Sequence, residues 1–516
     1  MREKLVTNAT FLSLNWVAIT ILPVFFWFVI GKTLPPESYG IVATALQTCV
    51  VLSYIASLGL PMAVVKLIPE FLVKGDMNKV QGTINYSLKL TILAICILSS
   101  VLIIFNSQLS SLMKLESSII FSIILMFALN TLGNLFKNIY YGFENMKKVF
   151  TSNLIGQSLR VLITFVLILL GFTYFGPILG ILVCFAIILV LRIDTSLFRI
   201  SENPEIDSES ISKYSTPSFV RLIFTTIFGN TQFIILTILK TITISGLYAT
   251  ATTVSSLIST IPQVVDTALF PTMSGLCSDK HGKKKQRYML RLVTRYSLIL
   301  VVPIAMLILV FSDYIVLLLT RESYIEASKF LFFLVPAEIF NSFGGLFLSA
   351  IYAIGEPKKI RDAWIIATVI YVLLAFPLTF YFSAMGLALA YCIAASTFLI
   401  YGLYYVIKYL DFRLPIRDIL IVIIPTLLLG LFLILSRHYI IQQFIAYGIL
   451  TEFLAVGILI GVSGLIYSLT FVLSGSLIEE DLKIIETLSI KSPVFSKQIE
   501  RIGGYLSKYV KRSYVE

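Results

Sequence analysis

The chain has 516 residues, of which 58% are hydrophobic and only 13% charged, with a net charge of +12 and a mean hydropathy of +0.93. A soluble globular protein carries about 25% charged residues, and half that density cannot cover a soluble domain of this size. Cys49, Cys96, Cys184, Cys277 and Cys392 form no CxxC pair, and His281 and His438 stand far apart. A metal site, a cofactor or a nucleophile–His pair therefore has little raw material, and the expectation is a protein that is not an enzyme.

The apolar residues come in blocks long enough to cross a bilayer core, which needs about 20 residues of helix. In chain order the first six are Ala9–Ile30, Tyr39–Leu58, Ile84–Phe105, Ile119–Tyr140, Val149–Leu170 and Pro177–Leu191. The first is too long for a signal-peptide core and lacks a cleavage motif, so it reads as a helix. The next six are Ser218–Leu239, Leu247–Phe270, Tyr296–Leu319, Phe330–Ala353, Ala363–Phe382 and Met385–Ile407, followed by Ile419–Leu435 and Phe453–Leu473. The expectation is an all-α polytopic membrane protein with about 14 transmembrane helices.

Lysine and arginine then orient the chain. With the amino terminus in the cytoplasm, about 28 basic residues fall on that side, including Lys280, Lys283, Lys284, Lys285, Arg287 and Arg291, and Arg192 in a loop. About six fall outside: Lys32, Lys114, Lys240, Arg321, Lys329 and Arg437. Both termini are thus expected in the cytoplasm of a cell-membrane protein. The positive charge marks a membrane face and needs no nucleic acid. Phe495, Ile499, Ile502, Leu506 and Tyr509 recur at helical spacing among basic residues, the pattern of an amphipathic helix lying on membrane lipids.

The sequence also repeats itself at about 206–211 residues. Gly40-Ile41-Val42-Ala43-Thr44-Ala45 matches Gly246-Leu247-Tyr248-Ala249-Thr250-Ala251. Tyr141-Gly142-Phe143 with Lys147-Lys148-Val149 matches Tyr352-Ala353-Ile354 with Lys358-Lys359-Ile360, and Leu179-Gly180-Ile181 matches Met385-Gly386-Leu387. Six helices per repeat make the repeats parallel, an arrangement of transporters that open alternately to each side. The expected organisation is a six-helix bundle over residues 1–200 and a second over 212–408. Two additional helices follow over 416–474, then a basic cytoplasmic tail over 475–516.

Gly31-Lys-Thr-Leu-Pro-Pro-Glu-Ser-Tyr-Gly40, Ser57-Leu-Gly-Leu-Pro61, Lys66-Leu-Ile-Pro-Glu70, Lys74-Gly-Asp76 and the run Gly355–Lys359 carry a resemblance. The chain resembles the Wzx-like polysaccharide-biosynthesis flippases of the multidrug/oligosaccharidyl-lipid/polysaccharide (MOP) exporter superfamily. The resemblance covers the first twelve helices and is strongest before Asp76; fourteen helices resembles the lipid II flippase. It implies transfer of a polyprenyl-diphosphate-linked oligosaccharide to the outer leaflet, with glycan-assembly proteins as candidate partners. Two other readings stand beside it. A cation-coupled drug or metabolite antiporter of the same superfamily would carry mainly acidic cavity residues. A membrane-embedded glycosyltransferase or polymerase would need carboxylate motifs and a large outer loop, and the outer loops here are short.

Charge inside the bilayer is costly and tends to mark function. Arg160, Arg221 and Lys66 are candidate diphosphate contacts, and the mid-helix Asn15 and Gln47 candidate cavity residues. Glu338 and Asp266 are candidate sites for coupling to Na+ or H+, with membrane potential as the other energy source. Lys89 and Lys137 are expected to snorkel to the interface, and Arg295, read as preceding its helix, to meet headgroups. Pro23, Pro262, Pro303, Pro336 and Gly344-Gly345 are candidate bends.

Overall fold

A computed structural model describes residues 2–198, 200–201, 203–279, 281–414, 416–437, 449–473, 478 and 480–481. The amphipathic pattern at Phe495–Tyr509, His438 and Lys280 lie outside the described residues.

The described chain is helical. The first repeat comprises α1 (Arg2–Thr33), α2 (Pro36–Ala56), α3 (Leu60–Lys74), α4 (Met77–Ile104), α5 (Asn106–Met113), α6 (Ser117–Gly142), α7 (Met146–Leu169) and α8 (Phe175–Arg192). The second comprises α9 (Ser208–Asn230), α10 (Gln232–Leu239), α11 (Ile242–Gly275), α12 (Gly282–Val310), α13 (Ser312–Leu319), α14 (Ala327–Ala353) and α15 (Pro357–Leu410). Then come α16 (Ile416–Ser436) and α17 (Ile449–Leu473). Each apolar block falls on one of these helices, or on a pair of consecutive ones. Eleven described helices are long and apolar enough to cross a membrane, and twelve if α9 and α10, bent by 54° at their junction, form one span. α15 is two helices that meet at Ser383, where the backbone leaves helical geometry at φ 56°.

Local sequence explains the boundaries. Gly75 ends α3 in the left-handed conformation, and the Asp76 carboxylate then accepts the Lys79 N–H to start α4. Asn145 and Asp207 cap α7 and α9 in the same way. The Lys74-Gly-Asp76 motif is thus a stop signal followed by a start signal. Along α4, Ile92, Leu93, Ile97, Val101 and Ile104 are exposed, an apolar face that suits lipid.

The repeat is visible in the backbone. Glu144 and Gly355 both take positive φ, 56° and 97°, at the turns before α7 and α15. Their hydrogen bonds correspond: Glu144 N–H to Tyr141 O and Asn145 N–H to Tyr140 O, against Gly355 N–H to Tyr352 O and Glu356 N–H to Ile351 O. Gly171 and Ser383, also at positive φ, break the chain at corresponding places.

By packing, the described residues fall into two compact units. One holds everything before Ser255 together with Val316–Phe333 and Trp364–Ala394. Here Leu60, Val64 and Ile68 of α3 pack with Ile84 of α4 and with Phe136 and Ile139 of α6. The matched glycines of the repeat also meet in this unit: a Cβ on Gly40 would lie 2.1 Å from Ile242 O, and one on Gly246 1.9 Å from Pro36 O. Only residues without a Cβ let α2 and α11 approach this closely.

The other unit holds Ser255–Ile315, Leu334–Ala363 and the described residues from Ala395 onward. Phe311 of α12 forms a core with Leu429 and Leu433 of α16 and Val456 and Leu459 of α17. α12 begins at Gly282, so Lys283, Lys284, Lys285, Arg287 and Arg291 ride on its first turns rather than in a loop. This also corrects the expectation for Arg295. It lies well inside α12, is 1% exposed, and forms a bidentate pair with Asp481 through two 2.8 Å bonds. Tyr296 Oη and Ile478 N–H donate to the same carboxylate. A buried guanidinium demands such a partner, because an unpaired charge there is severely penalised.

Candidate functional site

Among the described residues, polar side chains gather in the interior of the first repeat, where α1, α6, α7 and α8 meet. Small residues permit the approach of α7 and α8: a Cβ on Gly156 would lie 2.4 Å from the Ile188 side chain. The polar positions follow helical spacing, so they line one face of each helix. Asn130, Asn134 and Lys137 form a ladder on α6. Lys137 Nζ donates to Asn134 Oδ1 at 3.0 Å, and Asn134 Nδ2 to Asn130 Oδ1 at 3.3 Å. Ser152, Asn153, Gln157 and Arg160 form a second ladder on α7.

Arg192 joins the two. It is 2% exposed, and its guanidinium donates to Ser152 Oγ at 2.9 Å, Gly133 O at 2.8 Å and Asn153 Oδ1 at 2.7 Å. Asn153 Nδ2 then donates to Asn15 Oδ1 of α1 at 2.7 Å. The loop placement expected for Arg192 is therefore wrong: it occupies the last turn of α8 and turns inward. Lys137, expected at the interface, instead lines the interior.

These groups surround a cavity of about 190 Å³ lined by Asn15, Asn130, Asn134, Lys137, Asn153, Gln157 and Arg192, with Ile19, Leu129, Gly133, Tyr141, Phe185 and Ile188. At ~30 Å³ per water, that is room for about six waters or one small polar group. The lining has two cations and five amides and no carboxylate. Arg160 lies one turn beyond Gln157, outside the lining. It is 4% exposed, and its guanidinium carbon sits 3.6 Å over the Phe26 ring. Nη1 reaches Gln157 Oε1 at 3.5 Å, while Nε and Nη2 are buried without a hydrogen-bond partner. Such donors are expensive to leave unused, and they make Arg160 a group with binding capacity in reserve.

The other expected site residues lie elsewhere. Lys66 and Arg221 are exposed on α3 and α9, and neither lines this cavity. Gln47 is half-buried on α2, with Oε1 unpartnered. Asp266 of α11 hydrogen-bonds Ser349 of α14 through one oxygen, and its Oδ1 is buried without a partner. Glu338 is in the middle of α14, which also carries Asn341 Oδ1 and Ser342 Oγ, two buried atoms without a hydrogen-bond partner. The structure thus brings Asn15 to the cavity and Arg160 beside it. Sequence reasoning passed over Asn130, Asn134, Asn153, Gln157 and Arg192 as site residues. Their signal was amides and cations three, four or seven positions apart inside apolar helices.

The family model for polysaccharide biosynthesis protein matches residues 5–277, and that for lipid II flippase MurJ matches residues 173–459. No curated protein sequence matches the chain. Solved structures share the fold. The lipid II flippase MurJ in an inward closed conformation has a TM-score of 0.67 at 16% identity, over 90% of this chain and 98% of that one. An inward-facing multidrug resistance MATE transporter has 0.64 at 15%, over 78% and 98%. A MOP superfamily transporter from Pyrococcus furiosus, described by the reverse polarity of its binding pocket, has 0.54 at 13%, over 80% and 96%. The repeat, the helices and the family matches agree: the chain is a multi-pass membrane protein and belongs to the polysaccharide biosynthesis protein and lipid II flippase MurJ families.

Proposed function

We propose that this chain moves a polyprenyl-diphosphate-linked oligosaccharide from the cytoplasmic to the outer leaflet of the cell membrane, by alternating access of its two bundles. The proposal puts both termini on the cytoplasmic side. The observation that carries the reading is the acid-free cavity of Lys137 and Arg192, with the unpartnered guanidinium nitrogens of Arg160 beside it. A diphosphate supplies the charge these cations lack, and charge-assisted bonds to phosphate are the strong ones. Amides on the same wall suit sugar hydroxyls, because each offers both donors and an acceptor. An apolar tail needs no such lining and remains in lipid. A cation antiporter would instead require carboxylates here.

Energy is proposed to come from Na+, H+ or the membrane potential, with Asp266 and Glu338 as candidate ion contacts. Support for Asp266 is its buried unpartnered oxygen. No resident cofactor is proposed, and glycan-assembly proteins remain proposed partners.

Deleting the gene tests this function in cells lacking a redundant flippase. Lipid-linked glycan should accumulate in the cytoplasmic leaflet, and Arg160→Gln or Lys137→Gln should fail to clear it while still inserting. Normal surface glycan without a trapped intermediate would overturn the proposal.

A further inference from the structure

Four of the six basic residues expected on the outer side hold backbone rather than acid. Lys32, in the last turn of α1, donates from Nζ to Leu317 O and Thr320 O, both at 2.8 Å. These are carbonyls at the C-terminal end of α13. Arg321 returns the bond: its Nε donates at 2.6 Å to Lys32 O, in the last turn of α1. Each cation therefore closes the other's helix C-terminus, where unpaired carbonyls concentrate about half a negative charge. Lys114 Nζ donates to Lys240 O, and Lys240 Nζ to Phe380 O at 2.9 Å. Among the described residues, none of these four cations is ion-paired, whereas Lys329 pairs with Glu326 and Arg437 with Asp313.

The clasp closes over a small void of about 20 Å³, whose lining includes Val24, Trp27, Tyr39, Thr253 and Thr320. Trp27 and Tyr39 stack with centroids 4.6 Å apart, and Tyr39 Oη meets Thr253 Oγ1 at 3.2 Å. All of these residues belong to one packed unit.

We propose that Lys32 and Arg321 form an exit-side anion site. As α1 and α13 part, the two cations exchange helix carbonyls for the diphosphate of the departing cargo. Parting strips two helix ends of their caps and leaves two positive charges without acceptors. A dianion restores those acceptors only in the open form, and a ligand that binds one form better shifts the population toward it. A latch built on carboxylates would repel the same cargo; a latch built on neutral carbonyls does not. This inference rests on the flippase reading and on the orientation proposed with it.

The test uses the full chain in oriented phosphatidylcholine vesicles, with Cys96, Cys277 and Cys392 replaced by Ser and Val24→Cys as reporter. Labelling by an impermeant maleimide from the outer side reads opening. Farnesyl diphosphate should raise labelling about fivefold or more. The rise should vanish in Lys32→Gln/Arg321→Gln, whose amides keep an N–H donor without the charge, and persist in Lys32→Arg/Arg321→Lys. No rise in the parent, an equal rise in the Gln variant, or an equal rise with farnesol overturns the proposal. A rise on adding phosphatidylglycerol alone assigns the anion to a lipid headgroup and overturns the cargo role. Glycan transport separates the two readings: none in the parent removes the flippase reading, while parental transport in the Gln variant removes only the exit site.

Discussion

The contact of Gly40 and Gly246 between the two repeats makes a quantitative prediction. Ordinary van der Waals contact begins at 3.4 Å, so Gly40→Ala puts its methyl about 1.3 Å too close to Ile242 O, and Gly246→Ala about 1.5 Å too close to Pro36 O. The obstructing atoms are backbone, so rotamer changes give no relief and α2 and α11 must separate. Separation also loosens the bonds from Thr44 Oγ1 to Thr237 Oγ1 at 2.9 Å and Ser245 Oγ at 3.2 Å. Overpacking of this kind costs about 1–3 kcal/mol, which is a shift of about 5- to 150-fold in the conformational equilibrium. Either variant should raise labelling of Val24→Cys from the outer side by a factor in that range. The double variant should add little, because one methyl already holds the helices apart. Gly345→Ala, with nothing within 4 Å of the new methyl, is the control. Parental labelling in both alanine variants, or labelling of the control as strong as theirs, would mean that the α2–α11 contact does not hold the outer side closed.

Three further outcomes follow. Asp481→Asn leaves Arg295 buried without its anion and should cost about 3–5 kcal/mol, read as earlier thermal unfolding in detergent. Arg295→Met/Asp481→Leu should recover most of that loss, and equal melting of all forms would contradict it. Arg192→Lys keeps the charge but loses the three-way fork to Ser152, Gly133 and Asn153. It should therefore lower melting temperature as Arg192→Gln does, whereas a charge-only role predicts that Lys rescues. Asp194, just beyond α8, is held at about 2, chiefly by its hydrogen bond from Lys148. Its folded value is depressed, so its contribution is full above the ordinary carboxylate range and is lost as pH falls from about 4 toward 2. Asp194→Asn should flatten that part of the stability–pH curve; an unchanged curve would refute the assignment.

Much of the architecture was legible because a bilayer enforces it. Apolar length revealed the long helices, though not α3 or α5, and the repeat at Gly40 and Gly246 proved to be two helices in contact. What was hidden depended on direction. Arg295 and Arg192 stand at apolar–polar boundaries in sequence, where snorkelling or headgroup contact is the ordinary fate of a cation. Only the fold reveals that one meets a carboxylate from 186 residues away and the other turns into a bundle. Conversely, Lys66 and Arg221 looked interior from their neighbours but lie on exposed faces. The cavity was readable only in hindsight, because single asparagines inside apolar helices draw attention only when Asn130, Asn134 and Lys137 are taken as one face.

Carriage of a diphosphate-linked lipid glycan across a bilayer can be followed with the purified chain. In vesicles loaded with polyprenyl-diphosphate-linked glycan, the sugar should become accessible to an enzyme on the opposite side faster than in protein-free vesicles. Arg160→Gln should abolish that gain. A rate equal to that of protein-free vesicles, with a correctly inserted chain, the matching glycan and an imposed ion gradient, would mean that the chain is not a glycan-lipid flippase.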